Sequence, residues 1–326
     1  MTVSEALAAA ADCLRNSERV LVACHESPDG DALGSLLGAG RALAGAGWDV
    51  VLWAPGEAAL PEDYAWMGYD SVVRVAPADA SDRVLLALDC GSAERLGAQG
   101  PGYVAQAPAV LNLDHHGDNT QFGTINAVDA SAPCATILAL RLLRLLEIPL
   151  TPATATALYV GIVTDTGRFM YANATPESHR EAAALLELGV AADAVFRHLY
   201  EGKPVGRVRL LGRALNSLQL LVDGRLAVAN ITIADLDETG ATEADSEGII
   251  DHLRMIRGVE VVALVREPRA GAGKVCKVSL RSADPAVDVA RIAHCGGGGG
   301  HTMAAGFALE ADLESIIALI EGELRD

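Results

Sequence analysis

Three short apolar runs, each delivering a carboxylate or an imidazole at its far end, constrain this chain more than any other feature. Arg19-Val20-Leu21-Val22-Ala23-Cys24 runs straight into His25. Arg83-Val84-Leu85-Leu86-Ala87-Leu88 ends at Asp89, and Ala109-Val110-Leu111-Asn112-Leu113 ends at Asp114-His115-His116. Near-continuous apolar strands of this kind are buried on both faces. They alternate with helical periodicity: between Asp31 and Gly45, Leu33, Leu36, Leu37 and Leu43 fall roughly on one face. Val50 to Trp53 reads as a further strand. The alternation predicts an α/β fold with a parallel sheet covered by helices on both faces. In such sheets ligands bind beyond the carboxyl ends of the strands, which is where these polar residues stand.

Helical patterns follow over 133–147, 154–164 and 176–188, and from 191 to 221 helices lead out of this first domain. The pattern then changes. Residues 218–233 read as a hairpin around Asp223-Gly224. Further strands are expected over 259–265 and 275–280, with a flexible turn from Arg269 to Gly273. The expected organisation is a first domain over 1–195, a helical linker over 196–215 and a smaller mixed-sheet α/β domain over 216–326.

The net charge of −18 opposes partners that are long polyanions. It does not oppose a short phosphorylated molecule, because bound metal and a few placed arginines reverse the sign locally. The 22 Arg against 3 Lys fit a GC-rich genome better than a function. No run reaches the ~18 apolar residues of a membrane span. The first 20 residues read as an amphipathic helix and not as a signal peptide. Six scattered cysteines without a CxxC pair form neither a zinc set nor a disulfide framework. A cytoplasmic protein with reduced thiols is expected.

His25, Asp29 and Asp31 are spaced i, i+4, i+6 on a loop shaped by Pro28 and Gly30, so all three can converge on one pocket. Mixed imidazole and carboxylate donors suit Mn²⁺ or Mg²⁺ better than structural zinc. An N-cap role for Asp29 or Asp31 is the plain alternative. Asp89, at a central strand end, can bridge two ions. In Asp114-His115-His116 successive side chains diverge, so one histidine can ligate while the other faces a substrate and Asp114 orients one of them. Asp165 follows an apolar helix, in a loop bounded by Gly167. Two imidazoles and four carboxylates at the ends of buried elements are what two divalent ions need. Near the C-terminus, Gly296 to Gly300 precede His301 and leave backbone N–H groups open to an anion. A helix beginning after His301 would add its positive end, and a flexible linker is the alternative. Arg281-Ser282 closes a strand, where the arginine can clamp a phosphate.

Taken together, His25-x-x-Pro28-Asp29-Gly30-Asp31-Ala32-x-Gly34-Ser35, Asp89, Asp114-His115-His116 and Asp165-Thr166-Gly167 resemble the four motifs of the DHH phosphoesterase superfamily. Gly297-Gly298-Gly299-Gly300-His301 with Ala304-Ala305-Gly306 is similar to the signature of its associated C-terminal domain. The resemblance covers nearly the whole chain and points to the NrnA-like subgroup of oligoribonuclease/pAp phosphatases. It implies two divalent ions, manganese first, with magnesium or cobalt as alternatives. One ion would be held by His25, Asp29 and Asp89. The other would be held by Asp31, Asp89, His115 and Asp165. His116 would act on the scissile phosphate or leaving group. Arg281, Ser282, Gly297, Gly298, Gly299, Gly300 and His301 would take the substrate's terminal phosphate or base, with the active site in a cleft between the domains. The implied substrates are short 5′-phosphorylated oligoribonucleotides such as pApA, and pAp, with a cyclic dinucleotide as alternative; the implied protein is a monomer or homodimer that takes no duplex nucleic acid and no membrane. A manganese pyrophosphatase would lack the glycine-rich turn. A RecJ-like exonuclease would carry an additional nucleic-acid-binding domain. A catalytically silent nucleotide sensor would have lost a metal ligand, and none is lost.

Overall fold

Thirteen of the helices and strands that matter for the site come from the first 201 residues. They are α1 (Val3–Arg15), β1 (Arg19–Ala23), α2 (Gly30–Gly45), β2 (Asp49–Trp53), β3 (Val72–Val73), β4 (Val84–Leu88), α3 (Gly100–Gln106), β5 (Val110–Asp114), β6 (Ile125–Val128), α4 (Ala135–Leu145), α5 (Pro152–Asp165), α6 (Pro176–Glu187) and α7 (Ala192–Tyr200). The computed structural model describes residues 1–267, 275–284 and 286–325, which form two units, Met1–Glu201 and Gly202–Asp326.

The first unit carries one sheet in the order β3-β2-β1-β4-β5-β6, parallel throughout. Val20, Val22, Leu86 and Leu111 face the α1, α2 and α4 side of the core. Leu21, Ala23, Leu85 and Ala87 face the other side, which α3 and short 3-10 turns at 80–82 and 93–96 cover. The strand order reverses between β1 and β4, the point where an open parallel sheet parts into a ligand crevice. Register sharpens this. Ala23 pairs with Ala87, so His25 and Asp89 leave adjacent strands at the same height.

Helix α5 packs on α2 with almost no separation. A Cβ on Gly34 would sit 2.6 Å from the Ala157 carbonyl oxygen and 2.7 Å from the Gly161 amide nitrogen. A Cβ on Gly161 would strike Thr136 Oγ1 and come within 3.0 Å of Asp31 Oδ1. This crossing brings the start of α2 and the end of α5 to one place.

The second unit comprises α8 (Val205–Asn216), β7 (Gln219–Leu221), β8 (Leu226–Ile231), α9 (Ile233–Thr239), α10 (Ile249–Leu253), β9 (Val261–Arg266), β10 (Val275–Ser282), α11 (Val289–Cys295), β11 (Gly299–His301), β12 (Ala304–Glu310) and α12 (Leu313–Arg325). Its sheet runs β11-β12-β10-β9-β8-β7 and is mixed: β8 and β9 are parallel, the other neighbours antiparallel. The hairpin expected around Asp223-Gly224 is β7–β8. The turn expected at Arg269 to Gly273 lies outside the described residues.

The helix considered after His301 is not formed. His301 ends β11, and β12 begins three residues later. Nor are the glycines a linker. A Cβ on Gly298 would collide with the Gly306 carbonyl and Phe307, and Gly300 has φ +142°, with Ala305 Cα 2.5 Å from its Cβ position. At Gly298 and Gly300 the close approach of β12 requires glycine, and Gly297 is left-handed with φ +77°. All six cysteines are unpaired. Among the described residues no helix is long and apolar enough to cross a membrane.

The α2–α5 crossing is testable. Alanine is favoured over glycine inside a helix by ~1 kcal/mol, but here it meets backbone that cannot swing aside. Overpacking of this kind costs about 1–3 kcal/mol or more, so Gly34→Ala should lower the urea unfolding midpoint. An unchanged or raised midpoint contradicts the close crossing.

Candidate metal centre

Strand β1 places His25 two residues past its end. The imidazole Nδ1 donates to the Glu26 carbonyl at 2.7 Å, which commits Nε2 to carry the lone pair. That Nε2 lies 3.6 Å from Asp89 Oδ2. Asp29 caps α2: its Oδ1 accepts from the amides of Asp31 and Ala32, both at 3.0 Å. The cap uses one carboxylate oxygen and fixes the other, so capping and ligation are compatible.

Asp31 is buried and answers to a different helix. Its Oδ2 accepts from the Ala135 amide at 2.6 Å, and its Oδ1 from the Thr136 amide at 3.0 Å and Thr136 Oγ1 at 2.6 Å. These are the first amides of α4, whose positive end suits a carboxylate. No feature of the Cys134-Ala135-Thr136 sequence announces this role.

Asp89 follows β4 with its backbone in the left-handed region at φ +55°, a conformation that aspartate tolerates but that costs energy. Its side chain is 3% exposed. Oδ1 is buried without a hydrogen-bond partner and lies 3.6 Å from His115 Nε2 and 3.6 Å from His116 Nδ1. One carboxylate thus faces His25 with one oxygen and the histidine pair with the other.

Asp114 is the last residue of β5 and is fully buried. Its Oδ1 accepts from His116 Nδ1 at 2.8 Å and its Oδ2 from Asn119 Nδ2 at 2.6 Å. Asn119 Nδ2 is also 2.8 Å from Asn112 Oδ1, and Asn112 donates to the Cys90 carbonyl at 3.0 Å. Asn112 was visible as a polar break in an apolar strand, whereas Asn119 carried no such mark. Asp165 is the last residue of α5 rather than part of the loop after it, and its Oδ2 lies 3.9 Å from His115 Nε2.

Three groups emerge, within each of which one donor atom per residue lies within 4.8 Å of the others: His25, Asp29 and Asp89; Asp31, His115 and Asp165; Asp89, His115 and His116. Asp89 belongs to two of them. The six residues expected to hold metal are therefore brought together, with His116 at the edge.

The charges are unbalanced. Burial, then neighbouring carboxylates, push Asp31 up to about 6 and Asp165 up to about 9, and hold Asp89 well above the usual range. Burial and the neighbouring His116 lower His115 to about 4, leaving a neutral imidazole. The hydrogen bond to Asp114 raises His116 to about 9. Burial alone would raise Asp114, but His116 and Asn119 outweigh it and hold it low. Crowded acids, a neutral imidazole and an orphaned Asp89 oxygen are a donor set short of cationic charge, and they fit divalent metal.

In the second unit, Arg281 lines a cavity of about 410 Å³ with Arg266, Lys277, Ser279 and several glutamates. Ser282 is buried and its hydroxyl donates to the Asp284 carbonyl at 2.6 Å, so it serves its own turn. Gly297 and Gly298 link α11 to β11, which holds Gly299, Gly300 and the His301 backbone; the His301 side chain lies outside the described atoms.

The model of the DHH family, N-terminal domain, matches residues 19–162, and that of the DHHA1 domain matches 223–326. A bifunctional oligoribonuclease and PAP phosphatase NrnA of Thermus thermophilus is 34% identical over 89% of this chain and 84% of its own. The protein of the same description from Bacillus subtilis is 27% identical over 93% of this chain and 94% of its own. The crystal structure of an exopolyphosphatase-related protein from Bacteroides fragilis superposes with a TM-score of 0.90 at 24% identity, covering 98% of this chain and 96% of that one. It shares the fold.

Without metal, the folded chain holds protons that the unfolded chain releases near pH ~4. The stability tied to Asp31 and Asp165 is fully present below that pH and is lost as pH rises through about 6 and about 9. His116 acts in the same sense near 9, while His115 acts oppositely but only below its ordinary value of 6.5. The metal-free melting temperature should therefore fall from pH 6.5 to 9, and Mn²⁺ should raise it more at pH 8.5 than at pH 6. Scanning fluorimetry showing a rise in Tm that is absent, or equal at both pH values, contradicts this.

Proposed function

This chain belongs to the NrnA-like branch of the DHH phosphoesterase superfamily, and we propose that it hydrolyses phosphoesters in short 5′-phosphorylated oligoribonucleotides and in pAp. The observation that carries the reading is the shared position of Asp89, one oxygen toward His25 and the other toward His115. His25, Asp29 and Asp89 are the proposed ligands of one ion, and Asp31, Asp89, His115 and Asp165 those of the other. Two such ions, for which we propose manganese, would supply a nucleophilic water and neutralise charge on the phosphate when bound.

The protein's own groups divide the remaining work. His115 stays neutral near pH 7 and can give its Nε2 lone pair. In the metal-free chain the bond to Asp114, which holds Nδ1, pushes His116 up to about 9. The proton it can pass on is the one on Nε2, toward the oxygen of the departing nucleotide. Asp114 is the positioning partner that holds the proton on Nδ1, so the proton on Nε2 is the one free to leave. Arg281 and the turn ending at His301 are the proposed recognition elements for the terminal phosphate or base. The acidic surface favours short substrates over long strands.

Two substitutions separate these roles. The several kcal/mol that the ions supply correspond to roughly 10³-fold in rate, so Asp89→Asn should lower kcat/KM on pApA and pAp by about that factor in Mn²⁺. Wild-type turnover by that variant would sink the two-ion reading. His116→Gln should lower kcat on pApA by ~10²–10⁴-fold, yet cost far less on a p-nitrophenyl phosphodiester, whose leaving group needs no proton. Equal losses on both substrates would remove His116 from the acid role.

A further inference from the structure

Asn173 lies eight residues beyond Asp165 in sequence. Between them Gly167, Arg168 and Phe169 are all left-handed, with φ of 54°, 62° and 63°, and this stretch brings the chain back to the end of α5. The Asn173 side-chain Nδ2 faces three oxygens: the Pro133 carbonyl at 2.9 Å, the Asp165 carbonyl at 3.0 Å and Asp165 Oδ2 at 3.3 Å. All three are acceptors, so the amide's orientation is fixed by chemistry.

The Oδ2 it touches is the oxygen nearest His115. Among the described residues Asn173 supplies the only donor to the Asp165 carboxylate, whereas Asp31 receives three. Pro133 directly precedes Cys134, the N-cap of α4, and the first amides of α4 hold Asp31. One side chain therefore joins the segment that orients Asp31 to the carboxylate of Asp165. Asn173 Oδ1 is buried and accepts nothing from the protein, a cost that a residue kept only for packing would not carry.

We propose that Asn173 is the positioning residue for Asp165, and through it for the ion held by Asp31, His115 and Asp165. The inference rests on the two-ion reading above. Without Asn173 the Asp165 carboxylate is free to turn away from His115, while His25, Asp29 and Asp89 are untouched.

The test is a calorimetric titration of metal-free wild type, Asn173→Ala, Asp165→Ala and the double variant with Mn²⁺, with folding checked by circular dichroism. Asn173→Ala should keep one site at wild-type affinity and weaken the other by about 10–100-fold. In the Asp165→Ala background the same substitution should change the remaining site no further. Two wild-type affinities in Asn173→Ala, equal weakening of both sites, or a further loss in the double variant would each overturn the proposal. If Asn173→Ala does not fold, Asn173→Ser, which cannot reach all three oxygens, is titrated by the same criteria. A wild type that binds fewer than two ions overturns the two-ion reading itself, a result distinct from failure of Asn173 alone.

Discussion

Asp89 is the pivot of this structure. Its carboxylate is buried where β1 and β4 part, its backbone is left-handed, and one of its oxygens has no protein donor. Burial first, then the charges of Asp31 and Asp29, push its carboxyl well above the usual range. A fold does not hold such a group for stability. The arrangement becomes favourable only when positive charge is added, and the proposed divalent ions supply it. The parallel sheet, the α2–α5 crossing and the α4 amides on Asp31 all serve to hold these acids in place against their repulsion.

Much of this was legible in the sequence, because burial leaves a strong mark. The runs Val20–Cys24 and Val84–Leu88 are apolar throughout and the run into Asp114 is broken only by Asn112, so β1, β4 and β5 could be read directly, and α2 from its leucine spacing. Short elements were not legible: β6 is four residues with a polar break, and β3 is two. The glycine run suggested an approach to anions or a helix start; a strand and not a helix forms there, and at Gly298 and Gly300 the close approach of β12 leaves no room for a side chain. The supporting residues left least trace. Thr136, Asn119 and Asn173 act through hydrogen bonds formed by tertiary packing, and a lone threonine or asparagine looks the same on any surface loop.

The adjacent histidines show how environment separates identical side chains. Partial burial and the neighbouring His116 push His115 down to about 4, and the bond to Asp114 pushes His116 up to about 9. Their rings lie only 4.7 Å apart. The Asn112–Asn119–Asp114 chain that sets this contrast is built wholly from the β5 end and the loop after it. Family membership supplies the expectation of phosphoester chemistry. The hydrogen bonds supply the physical reason why one histidine is suited to metal and the other to a departing oxygen.

The central claim is that Asp89 is shared by two ions. Electron paramagnetic resonance of the Mn²⁺-saturated protein measures this directly, because a bridging carboxylate couples the spins of the ions it joins. The account predicts an exchange-coupled spectrum in the wild type that is lost in Asp89→Asn. A wild-type spectrum of isolated Mn²⁺ ions, or of a single bound ion, would contradict it.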